Sequence, residues 1–225
     1  MPRVIFKFDI GKDAWNYWET ANSDPHWGHD FRKCLRQENM KMLSGKKWGR
    51  VKKKLYDLLK KGYDDDKKHM ENNLKLIKKR WYEIEKDYFK RLARITKHPI
   101  YKKKFTAFAT TIGRCPYFRD EGAFMFNIWG EEIEGKLLTA AHEIMHLQFH
   151  YYYEKKLRKR ISNKQFQDIK EALTVLLNLE FKDLIKKTDM GYPKHKKFRR
   201  FISTQWKKKK DFDILLEKCV DYLKK

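Results

Sequence analysis

The stretch LLTAAHEIMHLQFH, residues 137–150, carries the pattern HExxH at His142, Glu143 and His146. Apolar residues surround the triplet, and Glu143 is the one formally charged residue between Leu137 and Leu147. Such a run predicts a core helix, over about residues 136–160 by its periodicity. Four helical residues advance by about 400°, so the two imidazoles project about 40° apart and can share one cation. Glu143 lies beside that face. Burying two imidazoles and a carboxylate without partners costs several kcal/mol, which a coordinated ion offsets.

Upstream, FTAFATTIG and GAFMFNIWG are rich in β-branched and aromatic residues, and predict a β-hairpin or two neighbouring strands. Further back, Leu74, Ile77, Trp81, Ile84, Tyr88, Leu92 and Ile95 recur at steps of three and four. One long helix follows, starting after Asp64, Asp65 and Asp66 and ending before Pro99. Between Asp30 and Lys61 the spacing predicts two helices parted by Gly45 and Gly49. The opening RVIFKFDI alternates like a half-buried strand, which Gly11 interrupts. Downstream, helices are expected near residues 164–187, 194–206 and 212–224. The fold expectation is α+β and mostly helical, with a small β-sheet. A single domain over 1–225 is expected, with a helical part at about 1–98 and the sheet, the HExxH helix and the C-terminal helices at about 99–225.

Composition narrows the function. Hydrophobic residues at 41% with 15% aromatics exclude a disordered tail. Fifty-four Lys and Arg against thirty Asp and Glu give a net charge of +24, enough to attract nucleic acid non-specifically. No run reaches the roughly 18 apolar residues of a membrane span, and the start has no long apolar leader region, so a cytoplasmic protein without a membrane partner is expected. Cys34, Cys115 and Cys219 form no CxxC pair and suggest neither a disulfide framework nor a zinc ribbon.

A hydrolytic zinc site needs three protein ligands and one open position. The metzincin pattern HExxHxxGxxH is excluded, because Phe149 and Tyr152 stand where its glycine and last histidine would be. His150, about 80° around the helix from His142, converges poorly with the other two and reads as a supporting or surface residue. Glu171 in DIKEALTVLLN is the better third ligand, an acid on a helix whose other face is Leu173, Leu176, Leu177 and Leu179.

HEIMHLQF, followed 25 residues after His146 by the helical Glu-Ala of KEALTVLL, resembles the gluzincin metallopeptidases. It is similar in particular to the helical peptidases of the angiotensin-converting-enzyme and oligopeptidase type, over roughly residues 124–180. The resemblance implies a zincin-like core, Zn2+ on His142, His146 and Glu171, and Glu143 as the base that activates metal-bound water and then acts as the acid. It also implies a peptide or protein substrate, pairing with GAFMFNIWG as an edge strand. Gluzincins often carry an acid four residues after the third ligand, but this chain has Val175 there. The residue orienting a zinc histidine is therefore expected elsewhere, at Asp168 or a backbone carbonyl.

Tyr192 and His195, in MGYPKHKKF, are the candidates for donating to a developing oxyanion. Cys115 reads as a buried structural thiol. Trp15, Trp18 and Trp27, near His26 and His29, read as packing of the N-terminal segment. The lysine tracts at 52–54 and 207–210 read as solvated surface. The competing expectation is a nucleic-acid-associated protein with a structural or silent zinc site. It rests on basic tracts interleaved with Trp48, Tyr56, Phe198, Phe201 and Trp206.

Overall fold

The computed structural model describes residues 1–25, 29–130 and 132–224, so His26 and Trp27 lie outside the described residues. In chain order the elements are β1 (Arg3–Lys7), α1 (Ile10–Asn22), α2 (Gln37–Leu43), α3 (Trp48–Asp65), α4 (Lys67–Thr96), β2 (Lys104–Thr110), β3 (Tyr117–Phe118) and β4 (Ala123–Asn127). They continue with α5 (Ile133–Leu157), α6 (Asn163–Leu173), α7 (Val175–Glu180), α8 (Lys196–Lys208) and α9 (Phe212–Lys224). The chain is α+β and mostly helical, with one small mixed sheet. It divides into two compact units, one of residues 4–81 and 104–139, the other of residues 1–3, 82–103 and 140–225.

The first unit contains the sheet, in the order β1-β2-β4-β3. β2 and β4 run parallel, Thr106 facing Ala123 and Thr110 facing Asn127, while β3 pairs antiparallel with β4. The two long strands are thus neighbours but not a hairpin. The hairpin is the short β3–β4 pair, and Gly122 at φ 61° supplies the left-handed residue just before β4. β4 is accordingly an interior strand, correcting the expectation of an edge. Phe6, Trp81 and Phe126 pack edge-on, with Phe6 ring centroids 6.0 and 5.4 Å from the other two.

Helix α1 corrects the reading of Gly11 as a simple interruption. Asp9 caps the helix by accepting from Lys12 N (3.0 Å), and Gly11 falls in its first turn. Ala14, Tyr17 and Ala21 of α1 pack with Leu43 of α2, Val51, Leu55 and Leu59 of α3, and Ile112. Trp18 donates to Lys46 O and its ring meets Trp48, and Trp15 meets Phe118, so these indoles pack as expected.

The second unit is helical. Ser162 and Gln165 form a capping box that starts α6, whose Phe166 stacks on Phe149 of α5 at 5.3 Å. The helix expected over 164–187 is shorter and broken at Thr174, whose hydroxyl turns back to Glu171 O (2.8 Å).

Candidate metal centre

From Ala140 to His150, α5 is buried all round except at His142, whose side chain keeps 21% exposure. That exposure is where solvent reaches the motif. His142 Nε2 lies 3.6 Å and His146 Nε2 3.3 Å from the same oxygen, Glu171 Oε2. The three ligand atoms fall within 4.8 Å of one another, and no other group of three or more His, Cys, Asp or Glu does so among the described residues. Ligands about 2.0–2.1 Å from a tetrahedral zinc ion stand roughly 3.3 Å apart. The observed separations therefore fit such an ion without large movement. Lys170 occupies the other Glu171 oxygen, Oε1, at 2.8 Å, leaving Oε2 for the histidines.

Glu143 is buried, and its Oε2 has no hydrogen-bond partner among the described residues. Burial pushes its pKa up to about 7, with the Glu171 and Asp189 charges adding to the rise. His146 is pushed down to about 3 by burial, which keeps its imidazole neutral, the form that ligates metal. Burial opposes the charge on Glu171 too, but His146, His142 and Lys170 hold its pKa well below the usual carboxylate range.

The orienting residue is Asp189, not Asp168. His142 Nδ1 donates to Asp189 Oδ2 (2.9 Å), which leaves Nε2 pointing toward Glu171. Burial disfavours a charged His142, yet the Asp189 and Glu171 carboxylates raise its pKa well above the ordinary value. Asp189 is itself held tightly. Its main chain exchanges two 2.8 Å bonds with the Asn178 amide, Gly191 N donates to Oδ1 (2.8 Å), and Arg199 donates to its carbonyl (2.6 Å) and Oδ1 (3.2 Å). Gly191 has φ 60°, and a Cβ there would meet the Arg199 guanidinium at 2.7 Å. Only glycine closes this turn without displacing Arg199. Asp189 stood in the sequence as a loop acid two residues before a glycine, a weak signal without knowledge of where the loop folds.

Asp168 instead accepts from His195 Nε2 and Lys194 Nζ, both at 2.8 Å. His195 is buried and its ring lies 6.0 Å from that of Tyr192. Burial and the charges of Glu171, Glu143 and Asp189 raise the Tyr192 phenol, so it stays protonated and able to donate. His150 is buried rather than on the surface, donating to Glu154 Oε2 (3.3 Å) and packing on Phe166.

Cys115 is only partly buried, so the buried thiol is Cys219, whose pKa burial raises. Both lysine tracts are exposed. Their aromatic neighbours are mostly engaged: Phe198 and Trp206 are buried, Phe201 packs on Tyr222 at 4.6 Å, and Trp48 packs on Trp18. Among the described residues no helix is long and apolar enough to cross a membrane. Compared with known protein families, curated proteins and solved structures, the chain matches none.

Proposed function

We propose that the chain is a zinc-dependent hydrolase, a metallopeptidase with a zincin-like core, holding Zn2+ on His142, His146 and Glu171. The observation that carries this reading is the convergence of three ligand atoms beside a buried Glu143 oxygen with no hydrogen-bond partner among the described residues. A bound zinc ion supplies a Lewis acid and lowers the pKa of a coordinated water toward 7. Glu143, buried beside the ligand set, would take a proton as base and return it as acid to a leaving amine. Asp189 holds the His142 ring, Lys170 holds Glu171, and Tyr192 is the proposed donor to negative charge on the substrate oxygen. His195 acts on Asp168 and the Tyr192 ring rather than as the first choice of donor. The choice of peptide bonds follows from the resemblance of HEIMHLQF and KEALTVLL to gluzincins. The three widely spaced cysteines, with no CxxC pair, support a reducing, cytoplasmic setting.

The test is hydrolysis of a fluorogenic peptide library and of casein. Cleavage should stop on chelation and return with zinc, and Glu143→Gln should lose about 10²–10⁴-fold in turnover while keeping its metal. Full turnover in that variant would remove the mechanism.

A further inference from the structure

The second unit carries an aromatic surface built from residues 98–101 and 151–152. Four rings form a continuous row: His98 stacks on Tyr152 at 4.1 Å and 2°, Tyr152 meets Tyr151 edge-on at 4.9 Å, and Tyr151 stacks on Tyr101 at 4.7 Å. Tyr151 is 64% exposed despite this company. The row is held rigidly. The 98–101 segment is tied to α5 by Tyr101 N donating to Gln148 Oε1 (3.2 Å), Gln148 Nε2 donating to Pro99 O (3.1 Å) and Tyr152 OH donating to Pro99 O (2.9 Å). Just upstream, Tyr153 OH donates to Thr96 O (2.6 Å).

Cations flank the rings. Lys102 and Lys103 follow Tyr101 directly, and Lys155 and Lys156 stand one helical turn beyond Tyr151 and Tyr152 on α5, so each reaches the same side of the helix. Lys103, Lys155 and Lys156 are exposed. The nearest acid in sequence, Glu154, is taken up by His150 and Arg158. A fixed aromatic face bordered by lysines on a chain of net charge +24 suits a ligand with flat π-faces and a regularly charged backbone.

We propose that the surface formed by His98, Tyr101, Tyr151 and Tyr152 with Lys102, Lys103, Lys155 and Lys156 binds single-stranded nucleic acid, bases stacking on the Tyr151 side of the row and phosphates lying along the lysines. A duplex keeps its bases inside and offers only phosphates, and an acidic polypeptide lacks the stacking faces. The preference for single strands separates this surface from general polyanion attraction. It is independent of the metal site.

The experiment is fluorescence anisotropy of the full chain with labelled 12-nucleotide oligo-dT and oligo-U over a salt series. Unlabelled duplex of equal length, polyphosphate and poly-glutamate serve as competitors. Both single strands should bind, and each competitor should be at least tenfold weaker per chain. Tyr151→Ala should weaken binding about tenfold with an unchanged salt slope, and Tyr151→Phe should restore it. Lys155→Gln with Lys156→Gln should reduce the slope of log affinity against log salt by about 1.4. Tyr151 is exposed, and an unchanged circular-dichroism melt verifies that its variants fold. Absence of single-strand binding, full affinity in Tyr151→Ala, or duplex, polyphosphate or poly-glutamate competing as well as the single strand would each overturn the proposal.

Discussion

Each unit buries a carboxylate within a polar cluster, and the two clusters are finished differently. In the first unit Asp13 is fully buried and every acceptor direction is filled: Oδ1 accepts from Thr110 Oγ1 (2.5 Å) and Thr111 N (3.0 Å), Oδ2 from Thr111 Oγ1 (2.6 Å) and Tyr63 OH (3.3 Å). Asn16 and Tyr17 bond onward to the same two threonines. All these donors are neutral, so the cluster closes upon itself and ties α1 to the end of β2. In the second unit Glu143 is buried beside two histidines and Glu171, yet its Oε2 meets no donor among the described residues. A closed network is architecture. An open one, at the place where α5 reaches solvent, has room for a reacting group.

Removing each carboxylate separates the two most sharply. Asp13→Ala strands four donors and should cost on the order of 3 kcal/mol in urea unfolding, whereas Glu143→Ala should change stability by less than about 1 kcal/mol. Equal losses would erase the distinction. Asp189→Asn, which weakens the hold on His142, should lower zinc affinity about 10–100-fold in a chelator competition with the fold intact, and unchanged affinity would deny it the orienting role.

The pH response of Asp13 sharpens the comparison further. Burial raises its native pKa above 3.8 against the lowering effect of its hydrogen bonds, so the native chain binds this proton more tightly than the unfolded chain. The resulting stabilisation is complete below about pH 3.8 and is lost as pH rises through the raised native value, with a slope of up to about 1.4 kcal/mol per pH unit. Unfolding of the native chain and Asp13→Asn from pH 3 to 7 should diverge with that sign, and parallel curves would contradict it. A smaller loss is expected from Tyr88→Phe. Tyr88 OH donates to Ala141 O (2.7 Å) just before His142, and its loss should cost about 1 kcal/mol, measured by the same unfolding.

What was legible in the sequence follows from the range of each interaction. The apolar steps from Leu74 to Ile95 and the HExxH run are local periodicities, and both appear as α4 and α5 within a few residues. Glu171 was legible because it is one of the few acids on a helix whose other face is apolar, which leaves it few alternatives to meeting the preceding helix. Helix α1 was not, because Gly11 marks a strand end and a first helical turn equally well until Asp9 is seen to cap. The parallel pairing of β2 with β4 depends on the placement of Tyr117–Phe118 outside both, a tertiary choice that alternation within each strand does not encode. Asp189 likewise depends on Asn178, Gly191 and Arg199 folding one loop back, while Asp168, nearer Glu171 in sequence, goes to His195.

The most direct measurement is zinc content per chain by atomic emission, after loading and exhaustive dialysis. One zinc is expected in the native protein and in Glu143→Gln, and none in His146→Ala, with circular dichroism verifying that the variants fold. A folded native chain that retains no zinc, or a His146→Ala chain that retains a full equivalent, would contradict the assignment of His142, His146 and Glu171 as a metal centre.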